Sequence, residues 1–383
     1  MMDSINWQLN KDQFKLLRVN KFDGVKTQKI IGFSGRTIFC KRYADQLKKK
    51  GIYFPMLDIT TARRGLKECP EILNIQISLG KALYGSNAFE TNEENINQIY
   101  QRTVHLLKIA EIETSINELR QAIVRKADFS KMITLPTYLG RANEVILKLL
   151  GFNYKPCSEF NFFNYQEGLG NLIRFGNTTQ KYTIYDKVGE IFSKGYTKIE
   201  KAIIKSVRLG EMERNALKFE LSYNRKDSFE KAMRARFEGN KKKDFCLEDI
   251  FKLELSKDIL LKAFDSVFEG IAVGLISLSE MEENKLWAYL ENSGLSQKRQ
   301  QDLFYWVRMA TKNGIAGTWA ELKRKYKGGS IVRKKKEIAL ILQELGTISG
   351  NTPNLIDFLR AEHDKFKIIK PKSLVNYCKV SYN

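Results

Sequence analysis

The chain has 383 residues, of which 43% are hydrophobic, and a formal net charge of +21. That length supports two domains with cores of their own, and the composition is that of a globular protein. With six prolines, no long polar tract, no repeat at fixed period and no apolar run of membrane-spanning length, linker-rich, solenoid and helical membrane classes are excluded.

The charge points to a polyanion, because lysines and arginines that neutralise phosphates release condensed counterions. Nucleic acid is the leading partner and a merely solvated basic surface is the alternative. Lysines and arginines cluster at 48–50, 241–243, 323–327 and 333–336. None of these clusters flanks a hydrophobic anchor, so no membrane partner is expected. The opening segment is too polar for a secretory signal, and an intracellular protein is expected. The five cysteines lie too far apart for zinc or redox spacing and read as buried thiols. His105 and His363, the two histidines, leave little scope for a Ser-His-Asp triad or a His-rich metal site, and both read as packed.

In chain order, LNIQISLG (73–80) alternates Leu73, Ile75, Ile77 and Leu79 with Asn74, Gln76 and Ser78, the period-two pattern of a half-buried strand. A turn follows at Gly85–Asn87. The next segment opens with capping residues and carries Ile96, Ile99, Tyr100, Val104 and Leu107 on one helical stripe, with His105 beside it. A second strand is predicted over 124–135, a helix over 141–151, a hairpin over 171–187 around Gly-Asn-Thr-Thr, and a further strand over 216–223. From about residue 245 the patterns turn helical and basic, broken by Gly and Ser. The expected architecture is therefore α+β: a domain spanning 1–245 with an antiparallel sheet and packed helices, then a mainly helical, basic region over 246–383.

Alternation also assigns faces. If Ala127 and Phe129, Tyr182 and Ile184, and Leu217 and Phe219 point into the core, the opposite faces carry Lys126 with Asp128, Tyr185 with Lys187, and Lys218 with Glu220. Acids, lysines and a phenol on one sheet surface suit phosphodiester transesterification. A tyrosine with a pKa of about 10 needs a cation or a base beside it to attack near neutral pH, and carboxylates suit Mg²⁺ or Mn²⁺. Tyrosine is equally a favoured strand residue, and a solvent-facing Lys or Glu is commonplace.

Three stretches in order, ILNIQISLGKALYGSNAFE (72–90), VRKADFSK (124–131) and IYDKVGE (184–190) followed by LKFELSYNRK (217–226), resemble the filamentous-phage gene II/X-type rolling-circle replication initiators and their plasmid relatives. The matching positions are Ser78, Lys81, Gly85 and Asn87, then Asp128, then Tyr185, Lys187 and Glu190 at Tyr-x-Lys-x-x-Glu spacing, then Lys218, Phe219 and Glu220. The resemblance covers roughly residues 70–230.

It implies an antiparallel nickase-like core in which Tyr185 attacks origin DNA, leaving a 5′-phosphotyrosine and a free 3′-hydroxyl, with Lys187 as its electrostatic partner and Glu190 completing the catalytic set. It further implies Mg²⁺ or Mn²⁺ held by Asp128 and Glu220, and DNA contacts from Lys81, Lys126 and Lys218. Lys323, Arg324, Lys325, Arg333, Lys334 and Lys335 extend those contacts in the basic C-terminal segments. The implied setting is the cytoplasm of a bacterial host, with single- and double-stranded origin DNA, a host helicase and a polymerase as partners.

One position departs from the pattern: Ser86 stands where the phage initiators have a histidine, so oxygen ligands are expected. Ser86 also keeps open a second reading, a noncatalytic origin-binding protein that retains the fold. A tyrosine recombinase is disfavoured, because neither Tyr377 nor Tyr382 follows the arginine and histidine cluster of that family. For the segment from Thr318 to Gly346 a helix-turn-helix-like module and a helical lid with a basic side are both open.

Overall fold

The structure is a computed structural model that describes residues 1–18, 22, 24–30, 33–64, 67–136, 139–150, 161–163, 172–209, 215–237, 244–268, 283–326, 330, 331, 333, 334, 337, 338, 341 and 355–369. Its strands are β1 Met2–Asn10, β2 Lys15–Leu16, β3 Gly24–Ile30, β4 Phe33–Phe39, β5 Met56–Arg64, β6 Lys67–Ser78, β7 Ile112–Glu113, β8 Ile123–Thr134, β9 Asn161–Phe163, β10 Leu172–Gly176, β11 Gln180–Asp186 and β12 Ala216–Tyr223. Ten of them form one antiparallel sheet in the order β3-β4-β5-β6-β1-β8-β12-β11-β10-β9, and β2 pairs with β7 separately. The expected α+β class with an antiparallel sheet is what the chain forms.

Alternation builds the core as the sequence implies. Ile5, Trp7 and Leu9 of β1, Leu73, Ile75 and Ile77 of β6, Ala127 and Phe129 of β8, Tyr182 and Ile184 of β11, and Leu217, Phe219 and Leu221 of β12 are all buried. Helices cover this face: Tyr100 of helix Ile96–Ile109 stacks on Trp7 at 5.9 Å between centroids, and Phe264 of helix Leu253–Phe268 lies 6.2 Å from Phe219. The opposite face of β6, β1, β8 and β12 carries Ser78, Ser4, Asp128 and Ser222 in direct register, a polar row across four strands.

The composition-based boundary near 245 falls inside one hydrophobic core. Leu247, Ile259, Leu260 and Phe264 pack with the strands, as do Leu355, Leu359 and Phe366. A separate cluster contains Leu286, Leu290, Leu303, Trp306, Val307, Leu322, Ile338 and Ile341. The helical region after 245 therefore divides between covering the sheet and forming a small core of its own. Among the described residues no helix is long and apolar enough to cross a membrane.

The segment Gln297–Lys325 is helical throughout, running past the glycines expected to break it. It is not straight. The Tyr326 hydroxyl donates to Asp302 at 3.1 Å, whereas 24 residues of straight helix would separate the two by about 36 Å. The chain therefore doubles back between them, and the arms on either side pack together, with Trp306 6.1 Å from Tyr326.

His105 is exposed on its helix rather than packed. His363 is the buried one. Its ring lies 4.5 Å from Phe219 and 5.0 Å from Phe264, and neither nitrogen has a hydrogen-bond partner. Burial, reinforced by Lys131 and the N-terminal amine, lowers its pKa to about 3. The folded state thus keeps His363 neutral, while the unfolded chain takes up a proton below about pH 6.5, so this residue costs stability progressively as pH falls from 6.5 toward 3. His363→Leu is expected to remove roughly 2 kcal/mol of the stability difference between pH 6.5 and pH 5, read by urea unfolding at both pH values.

Candidate active site

The predicted catalytic segment straddles the end of a strand. Tyr185 is the penultimate residue of β11, and Asp186 then caps the helix Lys187–Lys194 by accepting the Gly189 N–H at 2.8 Å. Lys187 is consequently the first residue of that helix and not, as alternation suggested, the last of the strand. Its side chain still reaches the site: the ammonium lies 5.6 Å from the centre of the Tyr185 ring, donates to Asn87 Oδ1 at 2.7 Å and pairs with Glu190 at 2.5 Å. The Tyr-x-Lys-x-x-Glu spacing thus joins a strand end to one helical turn, with Glu190 holding the lysine.

Tyr185 is paired in register with Lys218, and its hydroxyl reaches diagonally to donate to Glu220 Oε2 at 3.1 Å. Ser222 donates to the other oxygen of Glu220 at 3.3 Å. Burial raises the Glu220 pKa to about 7, with the negative charges of Asp3 and Asp128 adding to the shift. Burial also raises the phenol of Tyr185 well above its ordinary value, and Glu220, Glu190 and Asp3 push it in the same direction. The phenol is therefore protonated at rest, with a carboxylate rather than a cation as its hydrogen-bond partner. Of the cation or base expected beside the tyrosine, both are present: Lys187 lies near the ring and Glu220 takes the hydroxyl.

Asp3 belongs to this site and sequence reasoning missed it. Strict alternation would point it inward with Ile5 and Trp7, but the β1–β8 pairing shifts register between Met2 and Ser4, and such a bulge re-aims one side chain. Asp3 accepts from the buried Lys218 ammonium at 2.6 Å, and Lys218 also donates to the backbone carbonyl of Asn87 at 3.3 Å. Burial works against the charge on Lys218, but Asp3 and Glu220 outweigh it and hold its pKa above the ordinary lysine value. Lys187 goes the other way, lowered by burial and by the neighbouring Lys218 charge. The two ammonium groups thus share Asn87, one on its side chain and one on its main chain.

Asn87 is presented by a rigid turn. Helix Leu79–Tyr84 ends on Gly85 with φ +72°, a conformation that favours glycine, and a Cβ there would sit 2.8 Å from Ile199. The Gly85 carbonyl accepts from the Thr197 hydroxyl at 2.5 Å. Ser86 is fully buried and its hydroxyl accepts the Ala88 N–H at 3.2 Å within the turn. Gly85→Ala is expected to lower stability by about 1–3 kcal/mol through both strain and the clash with Ile199, measured by chemical denaturation.

The expected metal ligands Asp128 and Glu220 lie on this face with Asp3. Asp128 is raised above the usual carboxylate range by burial, against the hydroxyls of Ser4, which donates to it, and of nearby Ser222, with Asp3 adding to the rise. As arranged, the three acids do not make a ligand set. Asp128 holds Ser4, Glu220 holds Tyr185, and Asp3 holds an ammonium. Among the described residues no group of three or more His, Cys, Asp or Glu side chains converges to hold a metal ion. The cation among these acids is Lys218.

The structure of a rolling circle replication initiator protein from Geobacillus stearothermophilus is similar to this chain at 11% identity, covering 70% of this chain and 84% of that one, with a TM-score of 0.28. That likeness is too slight to carry an argument. No family model and no curated protein matches the chain. The site's reading therefore rests on its geometry.

The residues expected on DNA fall into two groups. Lys126 is exposed on β8, and Arg324, Lys325 and Arg333 are exposed in the C-terminal region. Three others are committed internally. Lys218 is buried on Asp3, and Lys81 pairs with Glu200 at 2.9 Å against the ring of Tyr196. Lys334 is held by Asp302, which also accepts the indole N–H of Trp306 at 3.1 Å. Lys335 lies outside the described residues, as does the side chain of Lys323.

Proposed function

We propose that this protein is a nicking-joining enzyme acting on one strand of origin DNA, with Tyr185 as nucleophile, as the resemblance to rolling-circle initiators implies. The observation that carries this reading is the hydrogen bond from the Tyr185 hydroxyl to Glu220, a carboxyl group whose pKa of about 7 suits a general base at neutral pH. The Tyr185 oxygen attacks the scissile phosphorus while its proton passes to Glu220. The bond from phosphorus to the 3′-oxygen breaks, leaving a 5′-phosphotyrosine and a 3′-hydroxyl that primes a host polymerase. Lys187, whose proton affinity is lowered, donates the proton to the departing oxygen, and Lys218 offsets charge on the phosphoryl oxygens. Because the acids as placed do not form a ligand set, no step is routed through Mg²⁺ or Mn²⁺.

Labelled single-stranded origin DNA incubated with the protein, with Mg²⁺ and with Mn²⁺, tests the reading. A denaturation-resistant protein–DNA adduct is expected. Its absence with either ion favours the second reading, an origin-binding protein without nuclease chemistry. That reading draws on the burial of Tyr185, 9% exposed, and on Ser86.

A further inference from the structure

The small C-terminal core carries an outward surface that the site on the sheet does not use. Between positions 283 and 341 the sequence has thirteen Lys and Arg against five Asp and Glu. On the first arm of helix Gln297–Lys325, Lys298, Tyr305 and Arg308 are exposed and lie on one face, two turns and then one turn apart. Among the described residues Tyr305 is the one aromatic side chain in the set of exposed large hydrophobics, at 49% exposure.

Its ring is fixed from behind rather than loose. Trp306 packs against it edge-on at 5.1 Å, and the Lys325 ammonium, brought across by the fold-back, lies 5.6 Å from its centre and 5.4 Å from that of Trp306. Asp302 locks the support by accepting from Trp306 and Tyr326, both at 3.1 Å.

We infer that this face binds single-stranded nucleic acid, with Tyr305 as the ring on which an unpaired base stacks and Lys298, Arg308 and Lys325 as phosphate contacts. An exposed, preorganised ring between cations suits an unpaired strand, whose bases have free π-faces; a duplex offers the cations its phosphates but keeps its bases stacked inside. The inference shares with the proposed function only the premise that nucleic acid is the partner, and binding is read without cleavage.

Fluorescence anisotropy of the full chain, made in a Tyr185→Phe background so that nicking plays no part, compares a labelled dT20 strand with a 20-base-pair duplex over a range of salt. Tyr305→Ala is expected to weaken single-strand binding about tenfold, leave duplex binding within about twofold and keep the salt slope. Tyr305→Trp restores the affinity. Lys298→Glu with Arg308→Glu lowers the salt slope for both ligands. Unchanged single-strand binding by Tyr305→Ala, or equal loss on strand and duplex, overturns the stacking role. Absence of any nucleic-acid binding by the Tyr185→Phe parent overturns the surface as a whole.

Discussion

Tyr185→Phe is expected to fold normally and to form no denaturation-resistant adduct with origin DNA, with nicking reduced by at least about 10⁴-fold, the scale of losing a nucleophile. The stability change should be small, about 1 kcal/mol, because the substitution removes one hydroxyl and one hydrogen bond to Glu220 while the ring keeps its packing. Tyr182→Phe is the matched control. Tyr182 lies on the core face of the same strand, fully buried and 6.4 Å from Phe219, so its hydroxyl cannot meet DNA. The adduct should survive there, and an undiminished adduct with Tyr185→Phe would remove Tyr185 as nucleophile. Denaturing gel electrophoresis of labelled DNA reads both variants.

Glu220→Gln separates catalysis from stability. As the base, Glu220 must be ionised, so wild-type nicking should rise with pH and level off above about pH 7. The glutamine variant should lose about 10²- to 10⁴-fold in rate and lose that inflection. Its stability should move the opposite way. The folded protein holds the Glu220 proton up to about pH 7 while the unfolded chain releases it near 4.5, so ionising this group costs folding free energy as pH rises between those values. At pH 8 the glutamine variant should therefore be more stable, by at most about 3 kcal/mol, and at pH 4 the two should be nearly equal. A variant that is inactive and also less stable at pH 8 would mean that Glu220 holds the fold rather than the proton.

The strands that build the site are legible because one face is apolar. Leu217, Phe219, Leu221 and Tyr223 leave Lys218, Glu220 and Ser222 no choice of side, and Tyr182 with Ile184 does the same for Tyr185. The same signal is present for β1 in Ile5, Trp7 and Leu9, although sequence reasoning passed over that strand. What alternation cannot give is the break in its own rule. Asp3 is re-aimed by a bulge, and Lys187 by a helix that begins where the strand was expected to continue. An acid at a position of core parity, and an aspartate able to cap just before Lys187, are the signs that would have flagged them. Nor does a basic composition distinguish a lysine on the surface from one such as Lys218 or Lys334 that answers a buried acid.

The position of β1 has a consequence for how the site is assembled along the folding path. This strand sits between β6 and β8 in the interior of the sheet, and its Asp3 holds Lys218 across 215 positions of sequence. Contacts that distant form late and slowly, after loop closure has been met by many other pairings. Asp3 thus meets Lys218 only when both ends of a stretch exceeding 200 residues have joined, whereas Tyr185, Lys218 and Glu220 are brought together by the pairing of β11 with β12 alone. A chain in which β11 and β12 have paired but β1 has not yet docked holds the phenol and its carboxyl partner together, with no acid from β1 to answer the Lys218 ammonium.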